Sequence, residues 1–357
     1  MSSSSDEEEQ EDHEGSSPEE EIESTVVPQA IESHDLVLDL SFHPVQNILA
    51  AAHIDGTVIV YSIKEEESRS KPKELLQINA HKKSCRGLAF SQDGNLLFTI
   101  SKDKSIRVVD VESGAVKYQM LKAHENALYS VLVVDEKTLA TGDDNGVIQI
   151  WDTRKKESII SFKQNEDYIS DMATDSEKRI LLATSGDGTL SAFNVRRRRF
   201  DLQSENMEDE LMTVSIIKKG KKVVCGGGDG ALSIFNWNEF GNISDRFPGH
   251  PESIDCSAKI NENIICTGSV DGMIRAVNIL PNRFMGIVGD HDEFPVEAID
   301  VSSDGVFLAS CSHDQKIKFW NVSSLEDINL STKQKAKKTD KTKRLKSSRS
   351  DDFFADL

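Results

Sequence analysis

Apolar and polar residues alternate along seven short segments of the chain, and each segment begins with a turn-forming residue. The segments read DGTVIVY, DKSIRVV, NGVIQIW, DGTLSAF, DGALSIF, DGMIRAV and DQKIKFW, and they start at Asp55, Asp103, Asn145, Asp187, Asp229, Asp271 and Asp314. The third and fifth residues after each start are apolar, and the fourth is polar in six of the seven segments. A period of two residues is that of a β-strand, so each segment predicts a strand behind a tight turn.

The spacing of the seven starts predicts how these strands are grouped. Successive starts lie 48, 42, 42, 42, 42 and 43 residues apart. In the second unit two further strand-like runs, CRGLAFS and NLLFTIS, precede the segment, and AVKYQML follows it. Four strands in about 42 residues form one propeller blade, and blades bury their faces only by packing around a common axis. The sequence therefore predicts an all-β fold, a seven-bladed β-propeller over residues 25–330, whose last blade is completed by Thr25–Ser33.

Polar residues recur at fixed places in these units and resemble those of the WD-repeat family. A histidine lies 21–23 residues before the start in five units, at His34, His81, His124, His250 and His291. A serine lies two residues before the start at Ser101, Ser185, Ser269 and Ser312. An aromatic residue lies six after it at Tyr61, Trp151, Phe193, Phe235 and Trp320. The resemblance implies a buried hydrogen-bond chain of turn Asp, loop His, strand Ser and strand Trp. Asn165 and Glu208 replace the histidine in units four and five, so we expect packing to hold those blades.

Three features that could indicate an enzyme have a structural interpretation. The recurring His, Ser and Asp could imitate a hydrolytic triad, but a nucleophile is needed once, whereas this set recurs in blade after blade. The run Gly226–Gly230 resembles a phosphate loop, yet no Lys-Ser or Lys-Thr follows it, and it aligns with turns of other units. The five cysteines lie in apolar strand patterns without metal or redox spacing, which favours core side chains. We therefore expect no catalytic residue, no metal, no cofactor and no small-molecule substrate.

Charge divides the chain into three parts. Residues 1–24 hold eleven acidic residues and no Lys or Arg, and residues 331–357 hold nine basic and four acidic residues. Of the net charge of −19, the two tails account for −11 and +5, which leaves −13 on the middle of the chain. Both tails are too polar to bury apolar surface, so we expect disorder in them. RNA contact would need a local basic patch or the basic tail.

Targeting features of the sequence indicate the nucleus. No run of 18 apolar residues occurs, so no membrane span is expected, and the acidic N-terminal segment lacks the basic start and apolar stretch of a signal peptide. The basic tail is of the nuclear-import or nucleolar-retention kind, through Lys333, Lys335, Lys337, Lys338, Lys341, Lys343, Arg344 and Lys346. We expect the protein in the nucleus and nucleolus, with the cytoplasm as a further compartment. A short docking peptide is predicted at FFADL, from Phe353, Phe354 and Leu357.

Two turns on the propeller are candidate docking sites. Trp151, Asp152 and Arg154 form a WDxR sequence, which resembles the motif by which many WD-repeat propellers dock on the adaptor of the cullin-4 ubiquitin ligase. The alternative is that WD followed by a basic residue arises by chance in such a repeat. The equivalent turn of the next unit holds Arg196, Arg197, Arg198 and Arg199. With Arg154 they would form a basic patch for RNA phosphate or an acidic partner, or a solvated turn neutralised by the following ENMEDE.

The complete layout resembles the WD-repeat protein 55 family. It combines an acidic Ser-rich head, seven units that contain SFHP and LAAAHIDGTVIVY, a basic tail and the FFADL sequence. The resemblance implies a non-catalytic nucleolar scaffold that is needed for ribosomal RNA processing and ribosome biogenesis, with pre-ribosomal factors as protein partners. Because plant relatives are linked to the cullin-4 ligase, a substrate receptor of that ligase is the alternative hypothesis.

Overall fold

The computed structural model describes residues 27–63 and 71–325, which fold into seven four-stranded antiparallel sheets. In chain order the described strands are β1 (Ile31–Glu32), β2 (Val37–Phe42), β3 (Ile48–His53), β4 (Thr57–Ser62), β5 (Lys73–Asn79), β6 (Cys85–Phe90), β7 (Leu96–Ser101), β8 (Ile106–Asp110), β9 (Val116–Met120), β10 (Leu128–Asp135), β11 (Thr138–Asp143), β12 (Val147–Asp152), β13 (Glu157–Lys163), β14 (Ile169–Thr174), β15 (Ile180–Ser185), β16 (Leu190–Asn194), β17 (Arg199–Gln203), β18 (Leu211–Ile217), β19 (Lys222–Gly227), β20 (Ala231–Asn236), β21 (Asp245–Pro248), β22 (Ile254–Lys259), β23 (Ile264–Ser269), β24 (Met273–Asn278), β25 (Arg283–Asp290), β26 (Val296–Val301), β27 (Phe307–Ser312) and β28 (Lys316–Asn321). Blades 1 to 6 take consecutive groups of four strands from β2 onward, and blade 7 combines β26, β27 and β28 with β1. The fold is the seven-bladed WD-repeat propeller that the sequence predicts.

The first strands of the blades surround the propeller axis. In ring order β2, β6, β10, β14, β18, β22 and β26 each contact the next, and β26 contacts β2. Because every sheet is antiparallel, successive turns alternate between the two faces of the ring. The turns between first and second strands and between third and fourth strands, such as residues 153–156, lie on one face of the ring. We call it the lower face. The upper face has the turns between second and third strands and the loops between blades, such as residues 204–210.

Apolar side chains between neighbouring blades form the core. The third residue after each unit start is fully buried in all seven blades, from Val58 in blade 1 to Ile317 in blade 7. The aromatic residues six after the start lie in the same layers. Phe193 of blade 4, for example, packs against Phe162 of blade 3 with ring centroids 4.7 Å apart. Burying a side chain of this size contributes roughly 1.5–3 kcal/mol. The alternation seen in the sequence is therefore the pattern of contacts that holds blade to blade.

A strand that precedes the first blade closes the ring. Ile31–Glu32 pairs antiparallel with β28 of blade 7, and the Ser33 N–H donates to Gln315 O at 2.8 Å. This pairing lies within the segment predicted from residue 25 to residue 33, but it is shorter, since residues 27–30 precede it without strand pairing. The outer edge of blade 7 is thus covered by the start of the propeller.

Buried aspartates on the first strands form further links between blades. The Asp300 carboxylate of blade 7 accepts the Phe42 N–H of blade 1 at 2.7 Å, which is a second contact across the ring closure. Asp39 makes the same link from blade 1 to blade 2, and Asp171 from blade 4 to blade 5. Burial raises the pKa of Asp39 to about 7 and that of Asp300 to about 6, against the opposing effect of the backbone N–H donors.

Candidate interaction surfaces

Blades 3 and 7 contain a complete buried hydrogen-bond chain. In blade 3 the Trp151 Nε1–H donates to Thr141 Oγ1 at 2.8 Å, and His124 Nε2 lies 2.8 Å from the same oxygen. His124 Nδ1 lies 3.0 Å from Asp143 Oδ2. The carboxylate favours a proton on Nδ1, so the threonine hydroxyl donates to Nε2. Blade 7 repeats the chain at 2.8, 2.7 and 2.9 Å through Trp320, Ser310, His291 and Asp314.

The turn aspartate of blade 3 is Asp143, two residues before the unit start that the sequence pattern placed at Asn145. Its Oδ1 accepts the backbone N–H groups of Asn145 and Val147 at 3.0 and 2.9 Å. Burial alone would raise the pKa of this carboxyl, but hydrogen bonds from His124 and from these two N–H groups outweigh burial and lower it. Asp143 is therefore held charged inside the blade.

The hydroxyl in the chain lies four residues before the unit start, not two. The hydroxyls that contact the histidines belong to Thr99, Thr141, Thr267 and Ser310. The prediction that the serine two residues before the start belongs to the chain is wrong for Ser101, Ser185, Ser269 and Ser312. Each of these is the last residue of its strand, beside the loop that enters the blade rather than beside the histidine. Its hydroxyl donates to a carbonyl of that loop, as Ser185 Oγ does to Asp167 O at 3.1 Å.

Blades 6 and 4 have only part of the chain. His250 of blade 6 keeps its hydroxyl partner, but its Nδ1 has no partner among the described residues, because Asp271 binds Arg275 instead. Burial, followed by the positive charge of Arg275, lowers the pKa of His250 to about 4. In blade 4, Asn165 stands at the histidine position and donates to Thr189 Oγ1 at 3.0 Å.

Blade 5 has neither a histidine nor a polar substitute. The Met207 N–H donates to Gly188 O at 3.0 Å, as the His250 N–H does to Gly230 O at 3.2 Å. Met207 and not Glu208 therefore stands at the histidine position, and Glu208 is exposed.

In blades 2, 3 and 7 the recurring His, hydroxyl and Asp side chains bond to one another, which supports their structural interpretation. In blade 1 the exposed His34 contacts Asp55 and the His53 ring instead and is not part of a buried chain.

The described residues include neither a candidate metal site nor a candidate membrane-spanning helix. Between residues 27 and 325, apart from 64–70, no group of three or more His, Cys, Asp or Glu is placed to hold a metal ion. In the same part of the chain no helix is long and apolar enough to cross a membrane. The five cysteines are free thiols, and four are buried. Burial raises the pKa of Cys266 to about 12, so this thiol stays protonated and is a poor nucleophile at neutral pH.

The WDxR turn lies on the lower face of blade 3. Trp151 is 5% exposed and belongs to the hydrogen-bond chain, so its ring faces the core. The Arg154 side chain is 60% exposed, and its Nε and Nη2 donate to the two carboxylate oxygens of Asp152 at 3.0 and 2.7 Å. This guanidinium lowers the pKa of the Asp152 carboxyl. A partner at this turn would therefore meet Arg154 and the backbone around it, while Trp151 supports them from below.

The four-arginine sequence lies on the same face, in the adjacent blade 4. Arg196, Arg197 and Arg198 belong to the turn before β17, and Arg199 begins that strand, where its Nε donates to Asp201 Oδ1 at 2.7 Å. All four are exposed. The candidate residues of the two tails lie outside the described residues: Lys333, Lys335, Lys337, Lys338, Lys341, Lys343, Arg344, Lys346, Phe353, Phe354 and Leu357.

A ring of half-buried residues surrounds the upper end of the axis, and sequence reasoning did not find it. The first residue of each first strand is buried and the second is half-buried; the second residues are Leu38, Arg86, Tyr129, Ser170, Met212, Asp255 and Glu297. The Tyr129 and Tyr168 ring centroids are 4.7 Å apart, and Arg86 lies 5.4 Å from the centre of the Tyr129 ring. Burial, with a further contribution from Glu297, raises the pKa of Tyr129 to about 12. The alternation of residue types along these strands was the sequence signal that could have pointed to this ring.

Comparison with known proteins places these features in a family. The family model WDR55 matches residues 28–325, the whole of the described propeller. The chain belongs to the WDR55 family. Within this family, WD repeat-containing protein 55 of Danio rerio is 53% identical over 334 residues, which cover 92% of this chain and 86% of the relative.

More distant members of the WDR55 family also align along most of the chain. WD repeat-containing protein 55 of Homo sapiens is 46% identical over 354 residues, which cover 96% of this chain and 92% of the relative. The homolog of Drosophila willistoni is 39% identical over 336 residues, which cover 92% of this chain and 66% of the relative. These names describe a WD-repeat protein and no enzymatic activity, which agrees with a non-catalytic propeller.

Proposed function

We propose that this member of the WDR55 family is a nucleolar scaffold that holds pre-ribosomal factors during the processing of ribosomal RNA precursors. The observation that carries the proposal is the opposite charge of two neighbouring segments that lie on opposite faces. The upper-face loop at residues 204–210 contains four carboxylates, whereas the lower-face turn at residues 195–198 contains three arginines. Segments of opposite charge on the two faces suit a scaffold that holds a basic protein on one side and an acidic protein or RNA on the other.

The basic tail supports the nucleolar part of this proposal and provides its test. Electrostatic retention among anionic RNA is roughly additive in charge and sensitive to salt. Changing the eight basic residues between Lys333 and Lys346 to Gln should therefore spread the protein from the nucleolus without changing its melting temperature. Changing the same lysines to Arg keeps the charge and should keep the protein nucleolar. Fluorescence microscopy of tagged variants gives the result, and nucleolar retention of the Gln variant would contradict the proposal.

A substrate receptor of the cullin-4 ligase is the second candidate function. It is favoured by the exposed Arg154 guanidinium, which Asp152 holds in one orientation on the lower face. Arg154→Ala should abolish co-purification with the ligase adaptor and leave the melting temperature unchanged, because an exposed charge contributes little to stability. Arg246→Ala is the matched control, since Arg246 is similarly exposed and also pairs with an aspartate, but on the upper face. Equal recovery of the adaptor with the natural sequence, Arg154→Ala and Arg246→Ala would rule out docking through this turn.

A further inference from the structure

The lower face of blades 3, 4 and 5 carries a series of strongly basic turns. We call the turns at residues 153–156, 175–179, 195–198 and 218–221 the basic turn surface. Together they contain eleven Lys and Arg residues and two acidic residues. This excess of positive charge occurs on a propeller whose part of the chain carries a net charge of −13. A local concentration of cations of this kind attracts a polyanion.

Several of these basic residues occupy backbone positions that suit glycine. Lys156 and Arg198 have φ of 60° and 54°, four residues after the end of the third strand, where blade 2 has Gly114 with φ of 68°. Lys178 has φ of 56° at the place in the turn between first and second strands where blade 2 has Gly94 with φ of 76°. A left-handed backbone is unfavourable for residues with a side chain. Departures from such a local rule are expected at functional sites, and here each one adds a positive charge.

Three arginines of one turn in blade 4 lack neutralising carboxylates among the described residues. Arg179 forms an ion pair with Glu177, whereas no carboxylate lies within ion-pair distance of Arg196, Arg197 or Arg198. The Arg196 Nη2–H donates only to the backbone oxygen of Glu177, at 3.1 Å. Neighbouring guanidinium groups without counter-charges are suited to bind phosphate, which they can contact through paired N–H donors.

A depression between blades 4 and 5 lies beside these arginines. Its volume is about 320 Å³, and Trp237 lines it from blade 5. From blade 4 it is lined by Arg179, Arg196, Arg197 and Asp175, whose Oδ1 accepts two backbone N–H groups of its own turn. The Trp237 indole is half-buried, and Phe240 lies edge-on against it at 5.2 Å between ring centroids, which fixes its orientation. The depression thus combines a fixed aromatic ring with cationic groups on the opposite side.

We propose that the basic turn surface binds single-stranded RNA, with Arg196 and Arg197 holding phosphates and Trp237 stacking on one base. The inference rests on the proposed function, because it names the partner class of the lower face. An aromatic ring beside a cationic track is how proteins hold single strands without reading their sequence. The Asn194 and Asn238 amides also line the depression and can hydrogen-bond base edges. An acidic peptide would engage the arginines alone, so the presence of Trp237 favours RNA.

The test is a salt series with the purified full-length protein and a labelled RNA single strand of about 12 nucleotides, followed by fluorescence anisotropy. Because the basic tail also attracts RNA, each variant is measured with the natural tail and with its eight basic residues changed to Gln. R196Q/R197Q should lower affinity about tenfold and reduce the salt slope by about 1.4, or about 0.7 for each lost phosphate contact. Trp237→Leu should lower affinity about tenfold with an unchanged slope, and Trp237→Phe should retain most of it.

The matched control removes two charges elsewhere on the propeller. K117Q/K163Q changes two exposed lysines on the outer strands of blades 2 and 3, and it should leave RNA affinity unchanged. Equal losses in both double variants, or no loss in R196Q/R197Q, would overturn the proposal. RNA affinity that falls in R196Q/R197Q but not in Trp237→Leu would overturn it as well, in favour of an acidic peptide. Normal ribosomal RNA processing in depleted cells, with RNA binding as described, would contradict only the proposed function.

Discussion

The buried hydroxyls of the blades differ in how many partners they satisfy. Thr141 contacts both His124 and Trp151, whereas Thr99 of blade 2 contacts His81 and has no tryptophan above it. All of these groups are buried, and a buried donor or acceptor that loses its partner destabilises the folded state. Chains with more members should therefore contribute more to stability, because each member depends on the next.

This difference predicts unequal effects of the same substitution in two blades. Thr141→Val keeps the side-chain volume but leaves Trp151 Nε1 and His124 Nε2 without a partner, at about 1–3 kcal/mol for each group. We expect the free energy of unfolding to fall by about 3 kcal/mol for Thr141→Val and by about half as much for Thr99→Val. Denaturant titration at pH 7 measures both, and Thr→Ser at each position restores the hydroxyl as a control. Equal losses in the two valine variants would contradict this account of the chain.

At this scale the spacing of residues located some members of the chain and not others. A histidine occurs at a nearly fixed place in five of the seven units and a tryptophan in two of them, so counting from the turn finds them. The hydroxyl was misplaced because residues two and four before the start point to the same side of the strand. Only the three-dimensional register shows that Thr141, and not a residue at the strand end, lies beside Trp151. In blade 3 three consecutive residues could each accept a hydrogen bond from the histidine, namely Asp143, Asp144 and Asn145. The sequence alone did not show which of them does.

At the scale of elements, the ring closure depends on very few residues. Among the described residues, only the strand Ile31–Glu32 pairs with the last blade, and the Asp300 carboxylate adds a side-chain link to blade 1. Alternation and repeat spacing predicted four strands per blade, and they also predicted that the closing strand comes from the N-terminal side. They could not predict its length, because pairing ends where the chain turns towards His34 rather than where apolar residues end.

The ring closure predicts a sharp difference between two deletions. Removing residues 1–24 should leave thermal stability unchanged, since that segment is too polar in composition to bury apolar surface. Removing residues 1–33 deletes β1, including the buried Ile31, and exposes the edge of β28. We expect a loss of about 3 kcal/mol from burial and hydrogen bonding, together with aggregation through the open edge. Calorimetry and light scattering distinguish the two proteins, and identical melting would show that β1 does not hold the ring.

On the candidate surfaces, features that recur from blade to blade could be predicted from the sequence, and features of a single blade could not. The turn with Arg196 could be placed on the lower face from the sequence, because strand alternation fixes where each turn falls. Trp237 was missed, since it lies in a turn of blade 5 that no other blade repeats and its position matters only beside blade 4. Tyr129 was missed because alternation shows which residues share a side of a strand but not that the side faces the axis.

At the scale of the whole molecule, the propeller carries strongly charged segments of opposite sign on its two faces, while most of its recurring polar residues are bonded within the blades. The acidic loop at residues 204–210 and the basic turn at residues 195–198 lie at opposite ends of the same strand, β17. The proposed scaffold function assigns a basic partner to the acidic loop and an acidic partner or RNA to the basic turn. Sequence composition gave the average charge of the propeller, but the distribution depends on which turns share a face.

Ribosomal RNA pulse-labelled in cells depleted of the protein tests the central claim most directly. If the protein is a scaffold for processing, ribosomal RNA precursors should persist longer before growth slows, because a direct role precedes its consequences. Re-expression of the natural sequence should restore precursor kinetics, and K117Q/K163Q should restore them equally well. R196Q/R197Q should restore them only in part. Normal precursor kinetics under complete depletion would contradict the scaffold function and leave the ligase receptor as the better account.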